Sequence, residues 1–245
     1  MNAKTIVFAD LHHPPQNVID AVEDTIRINR PCNVIFLGDY FDQYGDCLLD
    51  AKRTANWLVE SLKDPTRIHL IGNHDLSYFY PGPCTSCSGY TRAKNGAILN
   101  ILEKHIPEFR SFTWVSDILL THAGLSHKLL VAMNLKARAQ ASINRLLTEQ
   151  EPEAIALLKT QRKHWFSNVS YYRGGMDSVG GIFWCDYYEF VPIKGIRQIF
   201  GHSERGPKYT DPDHRNLLLD SHDGYYWAFI NEVGEVTVNK LETIP

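Results

Sequence analysis

The chain has 245 residues, of which 44% are hydrophobic and 22% charged, and its formal net charge is −3 with histidine neutral. This composition is typical of a globular domain and excludes a collagen, a coiled coil, a disordered tail and a small disulfide scaffold. No apolar run approaches the ~20 residues that a membrane helix needs, and no basic excess points to nucleic acid as an obligatory partner.

Six short apolar runs, each ending at polar or turn residues, predict buried strands. They cover residues 6–9, 34–37, 68–71, 118–121, 196–200 and 217–219. Apolar residues at helical spacing predict helices over 18–26, 48–62 and 97–105, and residues 225–238 around Gly234 predict a β-hairpin. The alternation of strands and helices in the first part of the chain predicts an α/β domain.

Residues 126–164 interrupt the series of strands with an apolar pattern that predicts two or more helices. We expect this segment to be a helical insertion that forms a cap over the functional site. Because no linker is evident, we expect a single domain over residues 1–245 that contains this insertion.

Polar side chains that can bind metals or move protons follow the predicted strands, at the point where each strand ends. They are Asp10, His12, Asp39, Asp42, Asn73, His74, His122 and His202. Ligands of α/β sheets bind beyond the carboxyl ends of the strands, so we expect these residues to converge in space. Imidazoles, carboxylates and an amide oxygen suit Mn, Fe, Zn, Co or Ni better than Ca, and they are costly to bury without a cation.

Each motif is a weak signal alone, but the order of the motifs is specific. The blocks are Asp10-x-His12, Gly38-Asp39-x-x-Asp42, Gly72-Asn73-His74-Asp75, His122-Ala123-Gly124 and Gly201-His202. Together they resemble the calcineurin-like metallophosphoesterase superfamily. Residues 38–42 and 121–126, and more loosely 183–186, most resemble its serine/threonine protein phosphatase branch with bacterial and phage relatives. The resemblance implies a four-layer αββα sandwich, in which helices flank two mixed β-sheets.

The resemblance also implies a centre of two divalent metal ions, with Mn favoured and Fe, Zn, Ni or Co as alternatives. The implied ligands are Asp10 and His12 for the first ion, Asp39 as the bridge, and Asn73, His122 and His202 for the second ion. His74 would be the general acid at the leaving-group oxygen, with Asp42 as its hydrogen-bond partner. Two such ions polarise a phosphoryl group and supply a bridging hydroxide as nucleophile at neutral pH.

Two departures from the family pattern bear on the substrate. Many members have a second histidine in the last block where this chain has Glu204, for which a surface position is favoured over a ligand role. The protein phosphatase branch has an arginine after the residue that matches Asp42, whereas this chain has Gln43. A glutamine cannot make a charge-assisted bidentate contact to phosphate. Arg173 or Arg205 could supply that cation, but an exposed position without a site role is the favoured interpretation of each.

Cys84 and Cys87 lie in a stretch rich in proline and glycine, residues 80–90. Their spacing allows zinc binding or redox cycling, but two incidental thiols in an irregular loop near the site are the favoured interpretation. The total of five cysteines is odd, and the first apolar run is too short for a signal-peptide core. We therefore expect reduced thiols and a cytoplasmic protein.

The leading hypothesis is a dimetal-dependent phosphoesterase, and within that class a phosphomonoesterase of the protein-phosphatase-like type. Its substrate would be a phosphoprotein, a nucleotide or a small phosphoester. A phosphodiesterase or nucleotide hydrolase would use the same chemistry, and a catalytically inactive binding scaffold is the alternative from another class. The mildly acidic charge argues against extended nucleic acid as a partner, and no membrane partner is expected.

Overall fold

The computed structural model describes residues 3–243. The strands are β1 (Thr5–Phe8), β2 (Asn33–Phe36), β3 (Arg67–His69), β4 (Phe112–Val115), β5 (Ile118–Thr121), β6 (Arg197–Phe200), β7 (Lys208–Tyr209), β8 (Asn216–Leu218), β9 (Tyr226–Ile230) and β10 (Val236–Lys240). The α-helices are α1 (Gln16–Asn29), α2 (Leu48–Leu62), α3 (Asn73–Phe79), α4 (Arg92–Leu102), α5 (His127–Ala132) and α6 (Gln140–Lys159). Short 3₁₀ helices cover Glu103–Glu108, Trp165–Ser167 and Tyr171–Arg173.

The strands form two five-stranded mixed sheets, in the orders β10-β9-β1-β2-β3 and β4-β5-β6-β8-β7. In the first sheet β1, β2 and β3 are parallel and β9 is antiparallel to β1. In the second sheet β5, β6 and β8 are parallel, and β4 and β7 are antiparallel to their neighbours. Each of the six runs predicted as strands overlaps an observed strand, with ends that differ by up to two residues, and the predicted hairpin is the pair β9–β10.

Side chains on successive strand positions enter two different cores, because the side-chain period of a strand is two. Ile6 and Phe8 of β1 pack in the core that includes the buried faces of α1 and α2, whereas Val7 packs in a core shared by both sheets. Leu119 and Leu120 of β5 divide in the same way. The two sheets therefore face each other and helices cover their outer faces, which confirms the αββα sandwich.

The helices predicted over 18–26 and 48–62 are α1 and α2, and the one over 97–105 is α4 followed by a 3₁₀ turn. The segment 126–164 contains α5 and α6, as expected for helices. Ile143 and Leu147 of α6 are fully buried, and Glu151 accepts a hydrogen bond of 2.6 Å from the backbone N–H of Ser111.

The segment 126–164 does not cap the cleft of the candidate site. None of its residues is among the described residues that line that cleft. The reason is the direction of its apolar face, which packs against the body of the sandwich next to β4. No helix within residues 3–243 combines the length and apolar character needed to cross a bilayer.

Candidate metal centre

Polar residues from both sheets meet at the carboxyl ends of the parallel strands. Asp10 and His12 follow β1, Asp39 and Asp42 follow β2, Asn73 and His74 open α3 after β3, His122 follows β5, and His202 follows β6. Seven of these eight residues line one cleft of about 1260 Å³, and His122 is fully buried beside them. The structure thus brings together every residue predicted for the site.

Asp39 belongs to two groups of metal-ligating side chains at once. It lies with Asp10 and His12 in one group and with His122 and His202 in the other, and the ligand atoms of each group lie within 4.8 Å of one another. Asp39 Oδ2 is 3.7 Å from His12 Nε2 and 3.4 Å from His122 Nε2. A carboxylate shared between two groups can bridge two cations, so this geometry fits a centre of two ions.

The surroundings of His122 fit a cation better than a proton. Nδ1 lies 3.1 Å from the carbonyl oxygen of Leu37, which can only accept, so Nδ1 carries the ring proton. Burial lowers the pKa of His122 to about 4, so the ring is neutral and Nε2 is unprotonated. Nε2 nevertheless faces Asn73 Oδ1 at 2.9 Å and Asp39 Oδ2 at 3.4 Å. Such lone pairs repel one another unless a positive ion lies among them.

The other ligand atoms fit the same interpretation. His12 Nδ1 lies 2.8 Å from the carbonyl oxygen of Asp42, so it donates there and leaves Nε2 free to bind a metal. Asp10 Oδ2 and His202 Nε2 are buried and have no hydrogen-bond partner among the described residues. Because buried polar atoms are nearly always satisfied, these two orphaned atoms are candidates for metal ligation.

Backbone strain is concentrated in the same residues. Asp10, His12, Asp39, Asp42 and His202 all have positive φ, between 43° and 73°. A non-glycine residue held in this region costs of order 1–3 kcal/mol and persists only when its surroundings fix it. These turns direct the side chains into the cleft at the end of each strand, and the strain marks the cleft as functional.

Glycines of the motifs are needed for close approach to the carboxylates. A Cβ at Gly201 would lie 1.8 Å from Asp10 Oδ2, and a Cβ at Gly72 would lie 2.1 Å from Asp39 Oδ1. Any side chain at these positions would displace a candidate metal ligand. The Gly-His and Gly-Asn-His motifs therefore serve the geometry of the centre as well as the chain turn.

The carboxylates of the centre differ in pKa. Burial, together with Asp220 and Asp39, raises the pKa of Asp10 well above its usual range. Burial also acts to raise the pKa of Asp39, but the imidazoles of His122, His74 and His12 outweigh it and lower that pKa. A divalent cation would relieve the crowding of negative charge that raises the pKa of Asp10.

His74 and Asp42 form a separate hydrogen-bonded pair beside the ligands. His74 Nδ1 lies 3.0 Å from Asp42 Oδ2, and the other carboxylate oxygen accepts from Lys94 Nζ at 2.7 Å and from the Tyr78 hydroxyl. Burial acts to lower the pKa of His74, but Asp39 and Asp42 raise it to about 11. The two carboxylates therefore favour the imidazolium form of the ring, which is the form that can donate a proton.

Sequence reasoning missed the contacts of several residues in or beside this cleft. Lys94 and Tyr78 carry no motif, and only the fold brings them to Asp42. Cys87 Sγ accepts a hydrogen bond of 3.3 Å from Asn73 Nδ2, which turns the amide oxygen toward His122. Asp220 lines the cleft directly after β8, so its position at a strand end was the available signal.

The structure also gives the positions of residues whose role in the site the sequence did not settle. Arg173 lines the cleft and donates from Nη2 to the carbonyl oxygen of His202 at 3.1 Å, and Gln43, Glu204 and Arg205 line it as well. His13 instead points into the interior, where Nδ1 lies 3.1 Å from the Thr54 hydroxyl. Cys84 donates to the backbone carbonyl of Gln161, away from the ligand cluster.

A two-sheet sandwich with a carboxylate shared between two ligand groups at its strand ends fits the class of metal-dependent phosphoester hydrolases. Comparison with family models agrees with this class. Residues 3–205 match the calcineurin-like phosphoesterase family, and the chain belongs to that family. The family depends on two metal ions, and the clustered aspartates and histidines of this chain can bind metal.

Several solved structures are similar to the chain at low sequence identity. A metallophosphoesterase from Sphaerobacter thermophilus has a TM-score of 0.50 and 11% identity, over 98% of this chain and 89% of that one. A protein serine/threonine phosphatase from Saccharomyces cerevisiae has a TM-score of 0.49 and 12% identity, over 100% and 81%. A proposed diadenosine tetraphosphatase has a TM-score of 0.45 and 13% identity, over 98% and 94%. No curated protein sequence matches the chain.

Proposed function

We propose that the protein is a phosphomonoesterase of the protein-phosphatase-like type, with a centre of two divalent metal ions. The observation that carries the proposal is the membership of Asp39 in both ligand groups. Asp10 and His12 would hold the first ion together with Asp39. The second ion would be held by Asp39, Asn73, His122 and His202. The mixed set of imidazole, carboxylate and amide ligands supports Mn first, with Fe, Zn, Ni or Co as alternatives.

When bound, the two ions would polarise the phosphoryl oxygens and lower the pKa of a water molecule so that it can attack phosphorus. His74 would then donate the proton of its free ring nitrogen to the departing oxygen. Asp42 holds the other nitrogen, Nδ1, and so fixes the orientation of the ring. Arg173 lies in the same cleft and can contact the anionic substrate in place of the arginine that Gln43 replaces.

The general-acid role is tested with His74→Ala and two substrates. We expect the variant to retain its metal and to lose about 10²–10⁴-fold in kcat with an alkyl phosphate, since acid catalysis typically contributes that factor. The loss with p-nitrophenyl phosphate should be much smaller, because its leaving group departs without a proton. Steady-state kinetics and elemental analysis of both proteins measure this, and His105→Ala, at a histidine bonded to Glu108 in the 3₁₀ turn, is the control.

Two results would overturn the proposal. Faster hydrolysis of bis-p-nitrophenyl phosphate than of the monoester would make the protein a phosphodiesterase. Absence of both bound metal and turnover after addition of Mn would favour a binding scaffold.

We propose that the substrate is a phosphorylated compound and that neither an extended nucleic acid nor a membrane is a partner. The proposed location is the cytoplasm. The mildly acidic formal charge of −3 supports the first statement, since a long nucleic acid needs a basic surface. The free thiols of all five cysteines support the second.

A further inference from the structure

One wall of the metal cleft carries tyrosines that the proposed chemistry does not use. Tyr187 and Tyr188 both line the cleft. The ring of Tyr188 stacks against Tyr172, with centroids 6.4 Å apart and planes 23° apart. Tyr188 and Tyr172 are each 59% exposed. Large aromatic side chains that remain this open beside a substrate cleft form a flat surface on which another ring can stack.

Cations accompany these tyrosines. The Arg205 guanidinium lies 5.6 Å from the centroid of the Tyr188 ring, and Lys208 Nζ lies 3.9 Å from that of Tyr187. Two carboxylates, Glu204 and Asp220, also line the cleft. Asp220 is buried, whereas Arg205 and Lys208 lie directly against the tyrosine rings.

A chain of hydrogen bonds connects the tyrosine wall to the metal centre. The backbone N–H of Tyr188 donates to Asp186 Oδ1 at 2.9 Å, and Asp186 Oδ2 pairs with Arg173 Nε at 2.7 Å. Arg173 Nη2 donates to the carbonyl oxygen of His202 and, at 2.8 Å, to Ser203 Oγ. The same Ser203 hydroxyl accepts from the backbone N–H of Tyr187 at 3.1 Å. The wall is therefore held in a fixed position relative to the metal ligand His202.

The size of the cleft and its two different regions point to one kind of occupant. A cleft of about 1260 Å³ leaves room for a substantial leaving group beside the phosphate. In a nucleotide the sugar separates the ring from the phosphate, so different parts of a site contact the two groups. Here the end of the cleft with the two ligand groups would receive the phosphate, while the segment with Tyr187 and Tyr188 offers the ring a stacking surface. Tyrosine and arginine faces stack on every nucleobase.

We propose that Tyr188, supported by Tyr172 and Arg205, is the stacking site for the nucleobase of a nucleotide substrate. This inference rests on the proposed phosphomonoesterase function, and it names the substrate class. Tyr188 is then a specificity residue that contacts the leaving group and takes no part in bond cleavage.

The experiment compares a nucleoside 5′-monophosphate with ribose 5-phosphate, which is the same sugar phosphate without its base. In the wild-type enzyme the nucleotide should have the higher kcat/KM. Tyr188→Ala should lower kcat/KM for the nucleotide roughly 5- to 100-fold, the range expected for loss of one base–aromatic stack, and leave ribose 5-phosphate unchanged. Tyr188→Phe should retain the preference, because the ring is preserved. Tyr171→Ala is the matched control, since Tyr171 is 66% exposed and does not line the cleft.

Equal kcat/KM for the two substrates in the wild type, or an equal loss for both in Tyr188→Ala, would overturn the base site and leave the proposed function standing. Calorimetric binding of the two compounds gives a second readout that needs no turnover. A protein that hydrolyses neither compound but binds the nucleotide more weakly after Tyr188→Ala would refute the phosphoesterase proposal alone. Absence of any difference in binding between the compounds would overturn the stacking site.

Discussion

Lys94 is a buried charge that the sequence motifs do not contain. Its ammonium group lies 2.7 Å from Asp42 Oδ1 and 2.9 Å from Asp46 Oδ2. Asp42, Asp46 and His13 also form a third group of metal-ligating side chains. Lys94 supplies the positive charge of that group from within the chain, so this third group needs no ion.

We expect Lys94→Met to lower the free energy of unfolding by about 3–5 kcal/mol, since it removes one partner of a buried ion pair. Asp42 then keeps only its contacts with His74 and Tyr78, and the half-buried Asp46 loses the ammonium group. The value of kcat should fall as well, because Asp42 orients His74. Chemical denaturation and steady-state kinetics measure the two effects. Lys63→Met is the control, because it removes an exposed ion pair with Glu60. Its free energy of unfolding should change by less than about 1 kcal/mol. Equal stability of the two variants would contradict the structural role of Lys94.

Single residues differ in how far the sequence reveals them. The eight residues of the centre could be predicted because each stands at the end of an apolar run, and the strand ends of α/β sheets converge. Lys94 and Tyr188 could not, because their roles depend on which helix or loop packs against the cleft. An isolated lysine or tyrosine has no local pattern that distinguishes it from a surface residue.

Among the elements, β3 and α2 are joined through a buried histidine. His69 at the end of β3 stacks on Phe36 with centroids 4.6 Å apart. Its Nε2 lies 2.9 Å from the Ser61 hydroxyl of α2, and Nδ1 lies 3.1 Å from the Tyr40 hydroxyl. Burial, with a contribution from Arg67, lowers the pKa of His69 to about 3. The ring must therefore be neutral for β3 and α2 to pack.

This predicts a dependence of stability on pH. The folded-state pKa of about 3 lies below the usual value of 6.5, so the unfolded chain binds more protons between these values. The contribution of His69 to stability is fully present above pH 6.5 and is lost as the pH falls toward 3. We expect His69→Gln to reduce the slope of unfolding free energy in this window by up to about 1.4 kcal/mol per pH unit. Urea titrations of both proteins in the same chelating buffer measure this slope, and an unchanged slope would contradict it.

The elements themselves were largely predictable. Strands with four buried residues in a row, such as Thr5–Phe8, combine a short apolar run with a turn signal. The helices within residues 126–164 were predicted, but their packing partner was not, because periodicity identifies the apolar face of a helix and not the surface that it covers. The 3₁₀ helix Tyr171–Arg173 and the tyrosines near it were also missed, since no periodic pattern marks this irregular segment.

At the scale of the whole molecule, the centre joins the two sheets. Asp10, Asp39 and Asn73 follow strands of the first sheet, whereas His122 and His202 follow strands of the second. Ions bound by both sets would connect the sheets across the top of the sandwich. Ligand binding to the folded state alone raises its stability, by about 2.7 kcal/mol when the free ligand is at one hundred times its dissociation constant.

We therefore expect removal of metal by a chelator to lower the Tm by about 5–10 °C, because 1 kcal/mol shifts the Tm of a domain of this size by about 2–4 °C. Gly201→Ala should abolish most of this shift, since its Cβ would displace Asp10 Oδ2. Gly96→Ala is the matched control: Gly96 lies within α4 with open space around it, so the variant should gain about 0.5–1 kcal/mol and keep the full chelator shift. Scanning calorimetry with and without chelator measures this fall in Tm. An equal fall in Gly201→Ala and in the wild type would contradict the prediction.

The position of β1 in the middle of its sheet has a consequence for biosynthesis. Thr5 pairs with Asn33 on one side and with Ile230 on the other. Because translation releases the N-terminus first, β1 can pair with β2 early but has to wait for β9, which follows β2 to β8 in the chain. Until β9 has left the ribosome, the nascent chain therefore presents an uncovered strand edge, which is the kind of surface that invites aggregation.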